Sequence, residues 1–193
     1  MADEVRIEVP GAARMHELGT ALAAQLRPGD LLVLTGPLGA GKTTLVQGIG
    51  DGLGVRGPIT SPTFVIARVH PNLGEGPDLV HADAYRLGSR LEVDDLDLDA
   101  DTGRCVTVVE WGAGLVEELA ADRLEVSIDW AASTRSTQGA AAPAADPGDE
   151  PRDVTVTAVG ERWAGVLDRI AKLAGARRMG SGPALAEPGT QMF

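Results

Sequence analysis

"LLVLTGPLGAGKTTLVQGIG", residues 31–50, decides the fold. Leu31 to Thr35 form a short, continuous apolar run of strand length, the pattern of a parallel strand buried on both faces. A glycine-rich turn follows, and then Leu45, Ile49 and Leu53 fall on one face at helical spacing before "GLG" ends the segment. Gly36, Gly41, Lys42 and Thr43 fill the pattern G-x-x-x-x-G-K-[ST], a P-loop, and the strand before it and helix after it supply the context that pattern needs. In such a loop, backbone N–H groups converge on phosphate oxygens, the lysine neutralises the β- and γ-phosphates, and the hydroxyl after it faces Mg²⁺. The expected nucleotide contacts are Gly36, Leu38, Gly39, Ala40, Gly41, Lys42, Thr43 and Thr44.

Working outward, the chain of 193 residues suffices for a domain with a well-buried core. Its 28 acidic and 17 basic side chains leave a net charge of −11, which disfavours unaided binding to nucleic acid or anionic lipid. Cys105 is the single cysteine, so no intramolecular disulfide forms, and a reducing, cytoplasmic setting is expected. The opening "MADEVRIEVPG" lacks the basic and apolar regions of a signal peptide, and no apolar stretch is long enough to span a membrane.

"EVRIEV" (4–9) alternates as a half-exposed strand, and residues 11–26 carry Ala12, Met15, Leu18, Leu22 and Leu26 at helical spacing. "TFVIARVH" (63–70) and "DLVHADAY" (78–85) read as strands of a hairpin across "PNLGEGP". Residues 89–99 form an acidic helix or loop, 104–111 a buried strand, 113–120 a helix and 122–130 an alternating strand. Residues 131–152, poor in large apolar side chains, read as a disordered insertion within the last hairpin, ahead of a strand at 153–159 and a helix at 161–174. One domain over residues 1–175 and a disordered tail over 176–193 complete the expectation.

Three further stretches carry chemistry. In "VHADAYR" (80–86), alternation puts His81, Asp83 and Tyr85 on one side of the strand and Val80, Ala82 and Ala84 on the other. Asp83 on such a strand needs a cation if buried, or else the strand is an edge with a solvated face. In "CVTVVEW" (105–111), Glu110 stands where a P-loop enzyme carries a metal-linked carboxylate, or is a solvated strand end. Trp111 is either core packing or a platform beside Glu110. "TSPTF" (60–64) is a turn or a switch loop sensing the γ-phosphate.

"GPLGAGKTT", "TSPTF", "HADAYR" and "VEW" stand in that order, and the set resembles the TsaE (YjeE) family over residues of about 5–130 and 153–174. That resemblance implies a P-loop ATPase that hydrolyses ATP weakly alone and works with TsaD and TsaB. This pair forms threonylcarbamoyladenosine at position 37 of tRNAs reading ANN codons, so tRNA is met only through the complex. Carried over, Lys42, Asp83 and Glu110 are catalytic, Thr43 and Glu110 hold Mg²⁺, and Ser61, Pro62, Thr63, Phe64, His81, Tyr85, Arg86 and Trp111 form the switch and its support. The insertion, the tail and Pro37 in place of the family's common Asp are departures that leave the motifs intact.

The expected fold is therefore α/β and P-loop NTPase-like, with a mostly parallel central sheet, helices on both faces and antiparallel strands at the edge. The expected function is Mg²⁺-dependent ATP hydrolysis. A small-molecule kinase and a non-catalytic nucleotide-sensing module are the rivals. Missing N-K-x-D and L-S-G-G-Q motifs argue against a GTPase and a transporter ATPase.

Overall fold

The computed structural model describes residues 3–62, 66–86, 103–131 and 150–173. Thr63 and Phe64, the acidic segment 89–99, most of the insertion and the tail expectation lie outside the described residues.

The segment that decides the fold forms β2 (Leu31–Thr35) and α2 (Lys42–Leu53). Around β2 a seven-stranded sheet assembles in the order β1-β7-β6-β2-β5-β4-β3. Its other strands are β1 (Asp3–Val9), β3 (Ala67–His70), β4 (Asp78–Asp83), β5 (Cys105–Glu110), β6 (Arg123–Trp130) and β7 (Arg152–Val159). β4, β5, β2 and β6 run parallel, whereas β3 pairs antiparallel on one flank and β7 on the other. The mixed α/β class, the parallel centre and the antiparallel flanks agree with expectation. Among the described residues no helix is long and apolar enough to cross a membrane.

Alternation along the strands builds two cores. Leu32, Leu34, Val106, Val108, Leu124 and Val126 face α1 (Ala12–Ala23), α2 and α3 (Val166–Leu173). Leu31, Val33, Val80, Ala82 and Val109 face the opposite way and are covered by Val116, with Leu115 and Leu119 beside it. Full burial of side chains such as Leu45 and Ile49 stabilises the α2 contact by about 1.5–3 kcal/mol each. Helix α1 lies very close to α2, since a Cβ on Gly48 would sit 2.0 Å from the His16 carbonyl oxygen. This contact fixes the helix that follows the P-loop.

Three expected elements change. The helix at 113–120 is only a 3-10 turn, Glu117–Leu119, because "GAGL" offers glycines where a helix would need its first turn. The helix expected at 161–174 begins as a 3-10 turn, Glu161–Trp163, and Gly165 at φ 69° separates it from α3. Helix α1 stops at Ala23, ahead of the "RPGD" turn. At the base of the insertion, strand pairing continues to Trp130 opposite Arg152.

Candidate functional site

The carboxyl ends of β2, β4 and β5 meet at one cleft, the location that open α/β sheets offer to ligands. It has a volume of about 460 Å³ and is lined by Leu38, Gly39, Gly41, Lys42, Thr43, Thr44, Ser61, Asp83, Tyr85, Glu110 and Trp111. Most residues expected at the site are thus brought together. Gly36 and Ala40 are not part of this lining. A Cβ on Gly36 would stand 2.3 Å from the Ile128 carbonyl oxygen, so only glycine lets the chain leave β2 beside β6. Ala40 packs into the core under the turn.

Helix α2 opens on Gly41 in a left-handed conformation, and no side chain caps it. Its first-turn N–H groups therefore remain directed at the loop concavity, where an anion can accept from them. Lys42 is buried at 5% exposure and donates to the carbonyl oxygens of Gly36 (2.8 Å) and Pro37 (3.0 Å). Burial pushes its pKa below the ordinary 10.5, and the negative charges of Glu110 and then Asp83 oppose that fall.

Glu110 and Asp83 sit side by side because β4 and β5 are parallel with these two residues in register. Glu110 is buried, and two donors meet the same oxygen: Thr43 Oγ1 donates to Oε1 at 2.9 Å, and His81 Nε2 lies 2.9 Å from it. An octahedral Mg²⁺ with Mg–O distances of about 2.1 Å sets neighbouring ligand oxygens about 3.0 Å apart. The oxygens of Thr43 and Glu110 already stand at that spacing, so this pair fits such an ion. Asp83 accepts from Ser61 Oγ (3.2 Å) and from the Tyr85 backbone N–H (2.9 Å). β4 lies between β3 and β5, so the alternative of a solvated edge strand is removed.

Trp111 corrects the core-packing alternative. It is only half-buried, and its ring covers the Lys42 ammonium at 4.0 Å and tilts against Tyr85 at 5.2 Å. Its φ of 62° is left-handed, a conformation that costs a tryptophan about 1–3 kcal/mol and collects at functional sites. The Trp111 backbone N–H donates to the Leu34 carbonyl (2.8 Å), which holds this residue's backbone at the end of β2. Tyr85 is 64% exposed at the cleft rim. Arg86 is exposed and does not line the cleft. Ser61 links the "TSPTF" segment to Asp83, and Pro62 beside it is buried.

A profile of the family described as "Threonylcarbamoyl adenosine biosynthesis protein TsaE" matches residues 9–138. The chain belongs to the TsaE family. Among TsaE relatives, the Streptomyces coelicolor tRNA threonylcarbamoyladenosine biosynthesis protein TsaE is 60% identical over 78% of this chain and 94% of its own length. The proteins of the same name from Mycobacterium tuberculosis strain H37Rv and Bacillus subtilis are 50% identical (58% of this chain, 71% of that protein) and 38% identical (78% and 83%). The crystal structure of Bacillus subtilis YdiB superposes with a TM-score of 0.65 at 30% identity, covering 89% of this chain and 97% of that one. Family membership and the fold thus agree with the expectation.

One contact escaped the sequence reading. His81 and Glu110 lie in separate motifs, and their bond follows only from β4 and β5 being adjacent in this register. The alternation in "VHADAYR" was the available signal.

Proposed function

We propose that this TsaE-family chain is a Mg²⁺-dependent ATPase whose hydrolysis supports turnover of a TsaB–TsaD complex during threonylcarbamoyladenosine formation on tRNA. The observation that carries the reading is the 2.9 Å pairing of Thr43 Oγ1 with Glu110 Oε1 at the mouth of the P-loop cleft. Family membership supports the pathway, and the names of the relatives describe that biosynthesis.

The charges in the cleft favour a metal-bound substrate. Lys42 is one positive charge against the carboxylates of Asp83 and Glu110, a poor balance for a bare polyphosphate and a good one once a divalent cation is added. Thr43 and Glu110 would hold a Mg²⁺, which would supply positive charge against the phosphates. The uncapped first turn of α2 binds phosphate through N–H groups. Lys42, held by loop carbonyls and the Trp111 face, stabilises charge on the departing phosphate. Asp83, fixed by Ser61 and the Tyr85 N–H, would help position the attacking water or the metal. Among the described residues no arginine lines the cleft, so the reading includes a group from a partner that completes the site.

The test is inorganic phosphate release from Mg-ATP by the chain alone and with TsaB and TsaD. A slow basal rate that rises with the pair supports the proposal. Tight ATP binding with a rate indifferent to the pair, or phosphate found on an acceptor molecule, refutes it.

A further inference from the structure

Thr43, Gln47 and Gly50 stand four and three residues apart on α2, so they share one face of the helix that follows the P-loop. Thr43 opens that face at the cleft, where it meets Glu110. One turn further along, the Gln47 side-chain amide donates from Nε2 to the Ile59 carbonyl oxygen at 2.9 Å. After another turn, Gly50 leaves a notch, since a Cβ there would collide with Ile59 Cδ1. Ile59 is buried, whereas Arg56, Gly57, Pro58, Thr60 and Ser61 around it are exposed. Within 56–61 the chain is thus seated on the helix at Ile59, by its side chain in the notch and by its carbonyl on Gln47.

Two residues on, Ser61 lines the cleft and donates to Asp83 Oδ2 at 3.2 Å. Residues 60 and 61 therefore run between two attachments, one on α2 and one on β4. The two differ in quality. An amide-to-carbonyl distance of 2.9 Å is the usual one, whereas hydroxyl-to-oxygen bonds mostly fall at 2.5–3.0 Å. The firmer attachment is the one at Ile59, and the longer Ser61 bond depends on where that attachment places the backbone.

We propose that Gln47 is a positioning residue for Asp83: it holds the Ile59 carbonyl and thereby sets the Ser61 hydroxyl on the Asp83 carboxylate. Gln47 lies outside the cleft lining, so its effect passes through the chain segment and not directly to the nucleotide. Because Thr43 and Gln47 belong to one helix, the metal-facing hydroxyl and the anchor of Ser61 are tied to the same rigid body. The inference rests on the reading of Asp83 as a group that helps position the attacking water or the metal.

Gln47→Met keeps the side-chain length and the helix propensity and removes the donor. Gln47→Glu keeps the shape and also removes it, since a carboxylate only accepts. Gln47→Arg returns an N–H at the same number of bonds from the backbone. On the full chain without nucleotide, backbone ¹⁵N relaxation should give order parameters near about 0.85 at Thr60 and Ser61 in the wild type and below about 0.6 in Gln47→Met and Gln47→Glu. Leu45 and Ile49 should not change, and Gln47→Arg should resemble the wild type. Phosphate release at saturating Mg-ATP, with TsaB and TsaD, should fall about tenfold in both donor-free variants, because misplaced groups lose rate. ATP affinity should stay within about twofold, and Gln47→Arg should recover most of the rate. In a Ser61→Ala background the Gln47→Met loss should vanish, since effects along one path do not add.

Unchanged order at Thr60 and Ser61, an affinity loss as large as the rate loss, or a Gln47→Met effect that multiplies with Ser61→Ala would each overturn the proposal. Loosening at Thr60 and Ser61 in a chain that releases no phosphate even with TsaB and TsaD refutes the hydrolysis reading alone. A rigid segment in Gln47→Met of an active ATPase refutes the positioning role alone.

Discussion

Asp30 and Glu110 are buried carboxylates at opposite ends of the central strands, 4% and 3% exposed, and their surroundings differ in kind. Asp30 precedes β2 and is closed on every side. Arg162 grips it with two bonds, Nε to Oδ1 at 3.0 Å and Nη2 to Oδ2 at 2.8 Å, while the Arg27 N–H donates to Oδ2 at 2.8 Å. Arg162 is itself satisfied by the Gln25 carbonyl and lies over the Trp163 ring. Among the described residues no arginine or lysine bonds Glu110. Its donors are a hydroxyl and an imidazole on one oxygen, and the nearby Lys42 is tied to loop carbonyls instead. A buried carboxylate whose partners are complete joins β2 to the segment before α3. One left short of positive charge, at a cleft, is suited to a metal.

The comparison can be broken at its closed end first. Arg162→Ala strands Asp30 without its cation and should cost about 3–5 kcal/mol, lowering the Tm by roughly 6–20 °C. Nucleotide affinity measured well below the melt should stay unchanged; a loss there would mean that the two ends are coupled. At the open end the pattern should invert. Glu110→Gln is expected to reduce phosphate release by about 100-fold while moving stability by no more than about 1 kcal/mol, read by paired kinetic assays and denaturant titrations. A large fall in stability would make Glu110 a structural residue like Asp30.

Smaller effects sharpen the contrast. Trp111→Leu removes the aromatic face from Lys42, a contact of about 0.5–2 kcal/mol, so ATP affinity by titration should fall about 2- to 30-fold. The pH response follows from Lys42, whose charged form burial disfavours. Nucleotide affinity should therefore decline on the alkaline side at a pH below 10.5, as the ammonium loses its proton. Asp83→Asn removes a charge that raises the Lys42 pKa, so the decline should move to lower pH still. A shift in the other direction, seen by titrating ATP binding against pH, would contradict the assignment.

Much of this was legible in the chain. Glycine turn, lysine and threonine fall in eight consecutive residues, Gly36 to Thr43, where local sequence and local structure are the same problem. Alternation in "VHADAYR" correctly placed His81 and Asp83 opposite Val80 and Ala82, because side-chain period in a strand is fixed by the pleat. Less legible was anything resting on what lies alongside. A run of residues such as 113–120 has helical spacing, yet the short connection between β5 and β6 and its glycines leave it a single 3-10 turn. Trp111 directly follows an apolar strand and so reads equally as core; its left-handed backbone and the hydrogen bond to Leu34 are what swing it over Lys42.

By itself the sequence determined the parallel centre, the P-loop with its following helix, and the residue types able to handle a phosphate and a metal, since each is written in contiguous residues with a fixed period. Tertiary structure alone decided that β5 lies between β2 and β4, which sets Glu110 beside Thr43, His81 and Asp83. It also decided that Asp30 meets an arginine 132 positions away. Those pairings depend on strand order and register, and they are fixed by how whole apolar faces pack rather than by any single stretch of chain.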